Sequence, residues 1–129
     1  MNDCVFCEIT NGTNSVDVLC ESETSIAFED KYPISIGHSL LVPKFHEPNF
    51  FMLDDSIQAD LWRLLIEAQE ILTEKYNPDG FNIGVNINKE AGQTVNHAHI
   101  HLIPRYKGDT ADPRGGIRWV IPDNAKYWD

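Results

Sequence analysis

Short stretches of β-forming residues, bounded by turn residues, recur along the chain. They predict strands over residues 16–21, 25–29, 39–42, 81–87 and 97–104. Strict alternation of apolar and polar residues in 81–87 and 97–102 is typical of strands that bury one face against a core. The continuous run Leu40-Leu41-Val42 instead predicts a fully buried strand, which Pro43 ends.

One longer segment, from Asp54 or Asp55 to Tyr76, repeats its apolar residues at helical spacing and predicts a long helix. The acidic residues suit a helix N-terminus, and the turn-forming run 77–80 ends the pattern. The repeating apolar residues are Ile57, Leu61, Leu64, Leu65, Ala68 and Leu72.

The order of strands, one long helix and further strands joined by hairpin-length loops predicts an α+β fold with a mostly antiparallel sheet. The chain has no repeat, low-complexity tract or linker, so we expect a single domain over residues 1–129. Residues 106–129 form a polar tail that carries an apolar patch at 117–121. With 129 residues, 42% of them hydrophobic, the chain can bury a sizeable core.

Charge and hydropathy narrow the expected partners and location. A net charge of -10 disfavours binding to nucleic acid through its phosphate backbone. Small anionic substrates must therefore be held by local donors, because the overall field repels them. No segment approaches the roughly 20 apolar residues that a membrane span needs. We expect a cytoplasmic protein that binds neither nucleic acid nor membranes.

Three of the five histidines alternate with apolar residues in the run His97-Ala98-His99-Ile100-His101-Leu102. In a strand, this alternation puts the three imidazoles on one face, about 7 Å apart. Histidine acts as nucleophile, general acid or base, or metal ligand near neutral pH, so the run indicates a functional site. A solvent-facing strand with chance histidines is one alternative, and a catalytic metal bound by all three is another.

Cys4 and Cys7 form a Cys-x-x-Cys pair that can chelate one zinc ion. Tetrahedral zinc needs four ligands and the chain has no second cysteine pair, so histidines must complete the site. His46 and one histidine of the 97–101 run are the favoured completions. The alternative is a pair of small buried hydrophobic residues. We expect Cys20, alone in a strand, to lie in the core.

The run from His97 to Ile103 resembles the signature of the histidine-triad (HIT) family, His-φ-His-φ-His-φ-φ with φ apolar. Further segments resemble family segments in the family's order, and together they span residues 4 to about 105. Residues 4–9 resemble the start of zinc-carrying bacterial members. The segments are 4–9, 28–30, 37–38, 41–46, 86 and 90–94, followed by the triad.

The resemblance implies a mostly antiparallel five-stranded sheet with one long helix and a short zinc-bound N-terminal segment. His99 is then the nucleophile that attacks an α-phosphorus and forms a nucleotidyl-histidine intermediate, which water hydrolyses. The backbone carbonyl of His97 fixes its tautomer. His101 contacts the phosphate and assists the leaving group. The family also implies a homodimer whose two sheets meet as one, helped by the long helix. The apolar face of that helix, with Leu61, Leu65 and Leu72, would serve a monomer core equally well.

The resemblance further implies the binding residues. Gln93, Thr94 and Asn86 hold phosphate oxygens, and Asp30 binds the ribose hydroxyls. Phe6 and Ile9 contact the base. The zinc ligands are Cys4, Cys7, His46 and His97, which leaves no open coordination position and makes the zinc structural. His38 matches a position that lines the site, but a structural hydrogen bond explains it equally well.

The group that leaves the phosphorus differs between branches of the family. Family members release AMP from dinucleoside polyphosphates, from phosphoramidates or from other adenylyl conjugates. The segment 90–94 and the pair Pro104-Arg105 look more like the dinucleoside polyphosphate hydrolases. The alternatives are an adenosine 5'-phosphoramidate hydrolase and a non-catalytic nucleotide-binding or signalling module. An intact triad weighs against the latter, because binding alone needs no nucleophile.

Overall fold

In the computed structural model, which describes residues 4–129, five strands and one long helix account for most of the regular structure. The helices are α1 (Val5–Thr10), α2 (Asp55–Tyr76) and α3 (Pro122–Ala125). The strands are β1 (Val18–Glu21), β2 (Ser25–Glu29), β3 (Ser39–Pro43), β4 (Gly80–Gly84) and β5 (Ile100–Arg105). Short 3-10 turns lie at Phe50–Met52, Lys89–Ala91 and Gly116–Val120.

The strands form one antiparallel sheet in the order β1-β2-β3-β5-β4, which confirms the predicted α+β class. The triad strand begins at Ile100, three residues later than predicted. The reason lies in the backbone: the His97 amide donates to the Val95 carbonyl, and the Ala98 amide donates to the Glu47 carbonyl. These loop bonds replace the strand-to-strand bonds that residues 97–99 would need.

The core has two halves, one on each face of the sheet. Helix α2 covers one face and buries its apolar residues, including Leu61, Leu65 and Leu72, against the strands. That face of the helix therefore forms the monomer core and is not available to a dimer. Cys20 packs, partly buried, against the same cluster, as predicted. The other half lies under α1 and consists of Phe6, Ile9, Ile26, Phe28, Leu40 and Val42.

Asp60 of α2 ties the β1–β2 hairpin to the helix. Its carboxylate accepts hydrogen bonds from the hydroxyls of Ser22 and Thr24 in the turn, and from Arg63 on the helix. The hydroxyl donors, and after them Arg63, lower the pKa of Asp60 to about 2. Within residues 4–129, no helix has the length and apolar character to cross a membrane.

Candidate functional site

A cavity of about 320 Å³ opens on the face of the sheet opposite α2, beside the triad. Its size lies at the low end of the about 300–1,000 Å³ that is typical of small-molecule sites. One wall is apolar and the histidines form the polar end, so the site is suited to a ligand with an apolar ring and a charged group. The lining residues used below are Phe6, Ile9, Asp30, Asn86, Thr94, His99 and His101.

The apolar wall is built around Phe6 of α1. The Phe6 ring packs edge to face against the His99 ring, with centroids 5.0 Å apart, and against His97 at 5.8 Å. The Phe6 ring also packs edge to face against Phe28 of β2, with centroids 6.0 Å apart. A flat aromatic base fits such a pocket, because aromatic rings pack favourably against edges and faces of one another.

His99 is fixed in one tautomer by the backbone. Its Nδ1 atom lies 2.8 Å from the His97 carbonyl oxygen, which can only accept, so Nδ1 carries the proton. The lone pair of the neutral ring is therefore on Nε2. The side chain is 6% exposed, and this burial lowers the pKa of His99 against the opposing effects of the His97 carbonyl and Asp30. A buried, neutral, oriented imidazole is a competent nucleophile.

His101 is oriented by a second histidine, His38, which directly precedes β3. The Ile34 amide donates to Nδ1 of His38, so a neutral His38 carries its proton on Nε2. That Nε2 atom lies 3.0 Å from Nδ1 of His101 and donates to it. His101 then holds its own proton on Nε2. Burial, followed by His99 and His38, lowers the pKa of His101 to about 4, against the raising effect of Asp30.

The bond to His101 gives His38 a structural hydrogen bond, which was one of the two alternatives for this residue. The residue is 4% exposed and contacts His101, with Asp30 Oδ2 3.7 Å from its Nε2 atom. Burial lowers its pKa more than Asp30 raises it. The signal that could have identified this partner is the β3–β5 register, which pairs Leu40 with His101. A single sequence does not specify that register, because the paired residues Leu40 and His101 lie far apart in the chain.

The other expected binding residues divide into two groups. Asp30, Asn86 and Thr94 lie in the cavity lining. Gln93 does not: its amide nitrogen donates to the carbonyls of Pro48 and Val95, and its oxygen accepts from the Asn88 amide. In the structure, the Gln93 side chain therefore stabilises the loop that carries Thr94 through hydrogen bonds to its backbone.

Four residues from three parts of the chain form a candidate metal centre: Cys4, Cys7, His46 and His97. One ligand atom from each lies within 4.8 Å of all the others. The sulfur–nitrogen distances are 3.3 Å from Cys4 to His97, 3.4 Å from Cys7 to His46 and 3.5 Å from Cys7 to His97. Zinc bonds of about 2.3 Å to sulfur and 2.1 Å to nitrogen place these atoms about 3.6 Å apart in a tetrahedron. The donor set and its spacing fit zinc.

The orientation of His97 supports the same ligand set. Its Nε2 atom lies 2.9 Å from the Pro43 carbonyl oxygen and must donate to it, which leaves the Nδ1 lone pair directed at the cysteines. A carbonyl behind a ligating histidine is the usual device that fixes its tautomer. By contrast, Nδ1 of His99 and Nδ1 of His101 bind other partners. Among the described residues, the three triad imidazoles do not form a common ligand group.

The chain resembles two named enzymes. It is 36% identical over 108 residues to an adenylylsulfatase from Arabidopsis thaliana, covering 84% of this chain and 55% of that protein. It is 35% identical over 102 residues to an adenosine 5'-monophosphoramidase from Schizosaccharomyces pombe, covering 79% of this chain and 74% of that protein.

Fold and family comparisons agree with these relationships. A crystal structure of a zinc-bound histidine triad family protein from Mycobacterium smegmatis superposes with a TM-score of 0.78 at 32% identity, covering 85% of this chain and 80% of that chain. The family model described as the HIT domain matches residues 11–108, more than half of the sequence. The chain therefore belongs to the HIT family, whose members bind nucleotides and include hydrolases.

Proposed function

We propose that the protein hydrolyses adenine nucleotide conjugates at the α-phosphate through a nucleotidyl intermediate on His99, with dinucleoside polyphosphates as the favoured substrates. The observation that carries the proposal is the position of His99, which lines the cavity with Nδ1 held by a carbonyl and Nε2 unprotonated. A site that only binds nucleotides does not require a buried histidine prepared in this way. The alternative, against which this observation weighs, is a binding or signalling module that retains the triad without turnover.

In the first step, Nε2 of His99 attacks the α-phosphorus. A phosphorus–nitrogen bond forms while the bond from phosphorus to the leaving group breaks, and the leaving group keeps the electron pair. The His97 carbonyl stabilises the positive charge that develops on the His99 ring, because it accepts a hydrogen bond from the Nδ1–H group throughout the step. This arrangement replaces one difficult displacement by two easier ones.

In the second step, water attacks the same phosphorus. The phosphorus–nitrogen bond breaks, its electron pair returns to Nε2 of His99, and the water oxygen stays on phosphorus while one water proton passes to the solvent as AMP leaves. The base rests between Phe6 and Ile9, and Asp30 accepts from the ribose hydroxyls. Asn86 and Thr94 donate to phosphate oxygens, consistent with an acidic protein that must bind anions through local donors.

The state of His101 bears on the leaving group. A neutral His101 donates a hydrogen bond from Nε2, but it is a poor source of a whole proton. If His101 gave up its Nε2 proton, a replacement could reach it only from His38 through Nδ1. His38 in turn is bonded to the Ile34 amide, and an amide does not release its proton. Such a site suits groups that leave as stable anions, such as a nucleoside polyphosphate or sulfate. An amine from a phosphoramidate, the second candidate substrate, needs a proton as it leaves.

Zinc fits the site formed by Cys4, Cys7, His46 and His97, and we propose these residues as its ligands. With four protein ligands, the bound metal is structural: it has no open position for water or substrate. Its place beside the triad explains how the N-terminal segment is held over the cavity.

We also propose a homodimer, formed through apolar residues beside the covered face of α2. Trp62 and Ile66 lie four residues apart on the helix and are 42% and 61% exposed. Phe51 and Met52, in the turn before α2, are each about 70% exposed, and the Trp62 ring packs against Phe50, the neighbour of Phe51. Exposed aromatic and aliphatic residues grouped in this way are typical of protein interfaces.

The test of the proposed activity compares the wild-type protein with His99→Asn. Asparagine keeps an N–H that can donate to the His97 carbonyl but has no nucleophilic ring nitrogen. Each protein is incubated with diadenosine tetraphosphate, adenylylsulfate and an adenosine phosphoramidate, and AMP release is measured. We expect wild-type turnover, fastest with the tetraphosphate, and none in the variant, with equal zinc content as the folding control. Binding of AMP without turnover of any substrate would instead support the binding module.

A further inference from the structure

Helix α1 belongs to two sites at once. Cys4, its N-cap, and Cys7, on its first turn, contribute half of the candidate zinc ligands. Phe6 and Ile9, on the same helix, form the apolar wall of the cavity and are 6% and 7% exposed. The metal centre and the base pocket therefore share a single six-residue element.

Such a helix has little stability of its own. Isolated helices shorter than about 12–15 residues are marginal in water. Cys4 provides no side-chain hydrogen bond as the cap of α1, and no basic residue lies in the last turn to interact with the helix dipole. Its position over the sheet depends on packing with Phe28 and Leu40 and on the contacts of its two thiols with His46 and His97.

We propose that metal binding at Cys4, Cys7, His46 and His97 is thermodynamically coupled to nucleotide binding, because the metal fixes the helix that carries the Phe6–Ile9 wall. The inference rests on the proposed nucleotide function and adds metal-dependent affinity to it. Coupling of this kind is reciprocal: nucleotide raises the affinity for zinc by the same factor by which zinc raises the affinity for nucleotide.

The coupling acts on affinity more than on chemistry. Phe6 moves with α1, so loss of the metal loosens the base pocket. The nucleophile has a separate anchor, since the His97 ring stays bonded to the Pro43 carbonyl and the His97 carbonyl to His99. A metal-free protein should therefore keep an oriented His99 while its base pocket weakens.

The experiment measures AMP binding by calorimetry to the wild-type protein, with zinc bound and after chelation under reducing conditions. A second measurement determines zinc affinity by competition with a chelator, with and without saturating AMP. AMP is the product, so no turnover interferes. We expect zinc to lower the Kd for AMP by about fivefold or more, and AMP to lower the Kd for zinc by the same factor. Amide exchange within α1 should slow when zinc binds.

Cys7→Ser and Cys20→Ser form a matched pair, because Cys20 lies outside the metal cluster. Cys7→Ser should show the weak AMP affinity at every zinc concentration, and Cys20→Ser should behave as wild type. AMP affinities that agree within twofold with and without zinc overturn the coupling and leave the proposed function standing. Absence of AMP binding in both forms overturns both proposals. Loss of most of the helical circular dichroism signal on chelation overturns the proposed route through α1, since the metal would then act through the whole fold.

Discussion

Nε2 of His38 lies 3.0 Å from Nδ1 of His101, and this contact decides which nitrogen of His101 presents a proton to the cavity. The Ile34 amide donates to the other nitrogen of His38, Nδ1. Because a backbone N–H can only donate, the direction of the hydrogen bonds from Ile34 through His38 to His101 is fixed. In the proposed reaction, His38 thus acts through His101. It is a positioning residue.

Replacement of His38 by alanine should release His101 to adopt either tautomer. A fraction of the molecules then presents a bare Nε2 lone pair to the leaving group, so we expect kcat to fall by about tenfold to a hundredfold with little change in KM. Nitrogen chemical shifts of the His101 ring provide the readout that a merely structural role would not move. A single Nε2–H tautomer in both the variant and the wild type would contradict this role.

Acid should disrupt the hydrogen bond from His38 to His101. The pKa of His101, about 4, lies below its unfolded value of about 6.5, so its neutral form stabilises the fold above pH 6.5. That contribution declines as the pH falls from 6.5 to 4. Protonation also removes the Nδ1 lone pair that accepts from His38. An NMR titration of the His101 ring should show a midpoint near 4; a midpoint near 6.5 would refute the burial argument.

Substitution of Asp60 by asparagine should destabilise the hairpin contact with α2. The depressed pKa of Asp60 means that its charged form contributes stability above about pH 4, which is lost as the pH falls towards 2. For a carboxylate that is 19% exposed, we expect a loss of about 1–2 kcal/mol in urea unfolding at pH 7. The difference from wild type should shrink at pH 2. Glu70→Gln, exposed on the same helix, is the control.

Gly37 offers a test of the loop that ends at His38. Its φ is +86°, and a Cβ there would lie 2.8 Å from the Tyr76 ring at the end of α2. Gly12 has nearly the same φ, +85°, with nothing within 4 Å, so Gly12→Ala measures backbone strain alone. We expect Gly37→Ala to cost about 1–3 kcal/mol more than Gly12→Ala in thermal or urea unfolding. Equal losses would mean that the ring moves aside freely.

Ile66→Glu tests the proposed dimer surface. The residue is 61% exposed, so a charge there should not disturb the monomer, but it should weaken an apolar interface. Sedimentation analysis should show at least a tenfold increase in the dimer dissociation constant. Ile121→Glu introduces the same charge in the C-terminal segment, where Ile121 is 60% exposed, and should leave association unchanged. A variant at position 66 that sediments as the wild type does would exclude this face.

The periodic parts of the structure could be predicted from the sequence. Helix α2 begins at Asp55 and ends at Tyr76, as its apolar spacing and turn residues predicted, and Ala98, Ile100 and Leu102 lie in the core on the face opposite the histidines. Both follow from local patterns in which each residue's side is set by its neighbours. The supply of cysteines and histidines predicted His46 and one histidine of the 97–101 run as partners of Cys4 and Cys7, whereas His97 in particular followed from the resemblance to the HIT family. These four side chains lie together in the structure.

The tautomer chain and the position of Gln93 could not be predicted in this way. Each depends on contacts between segments far apart in the chain: His38 with His101, and Gln93 with Pro48. Residues 97–99 likewise leave the sheet because Ala98 bonds to Glu47, a loop residue that no periodicity connects to them. Local patterns assign faces, whereas register and loop closure decide partners.

The His97 ring is oriented by a hydrogen bond that does not involve the cysteines, because its Nε2–H group donates to the Pro43 carbonyl. A lineage could therefore gain or lose the cysteine pair by a few substitutions while the neighbouring nucleophile remained aligned. In evolutionary terms, the candidate metal centre is separable from the triad, because substitution of both cysteines removes neither carbonyl that orients the His97 and His99 rings.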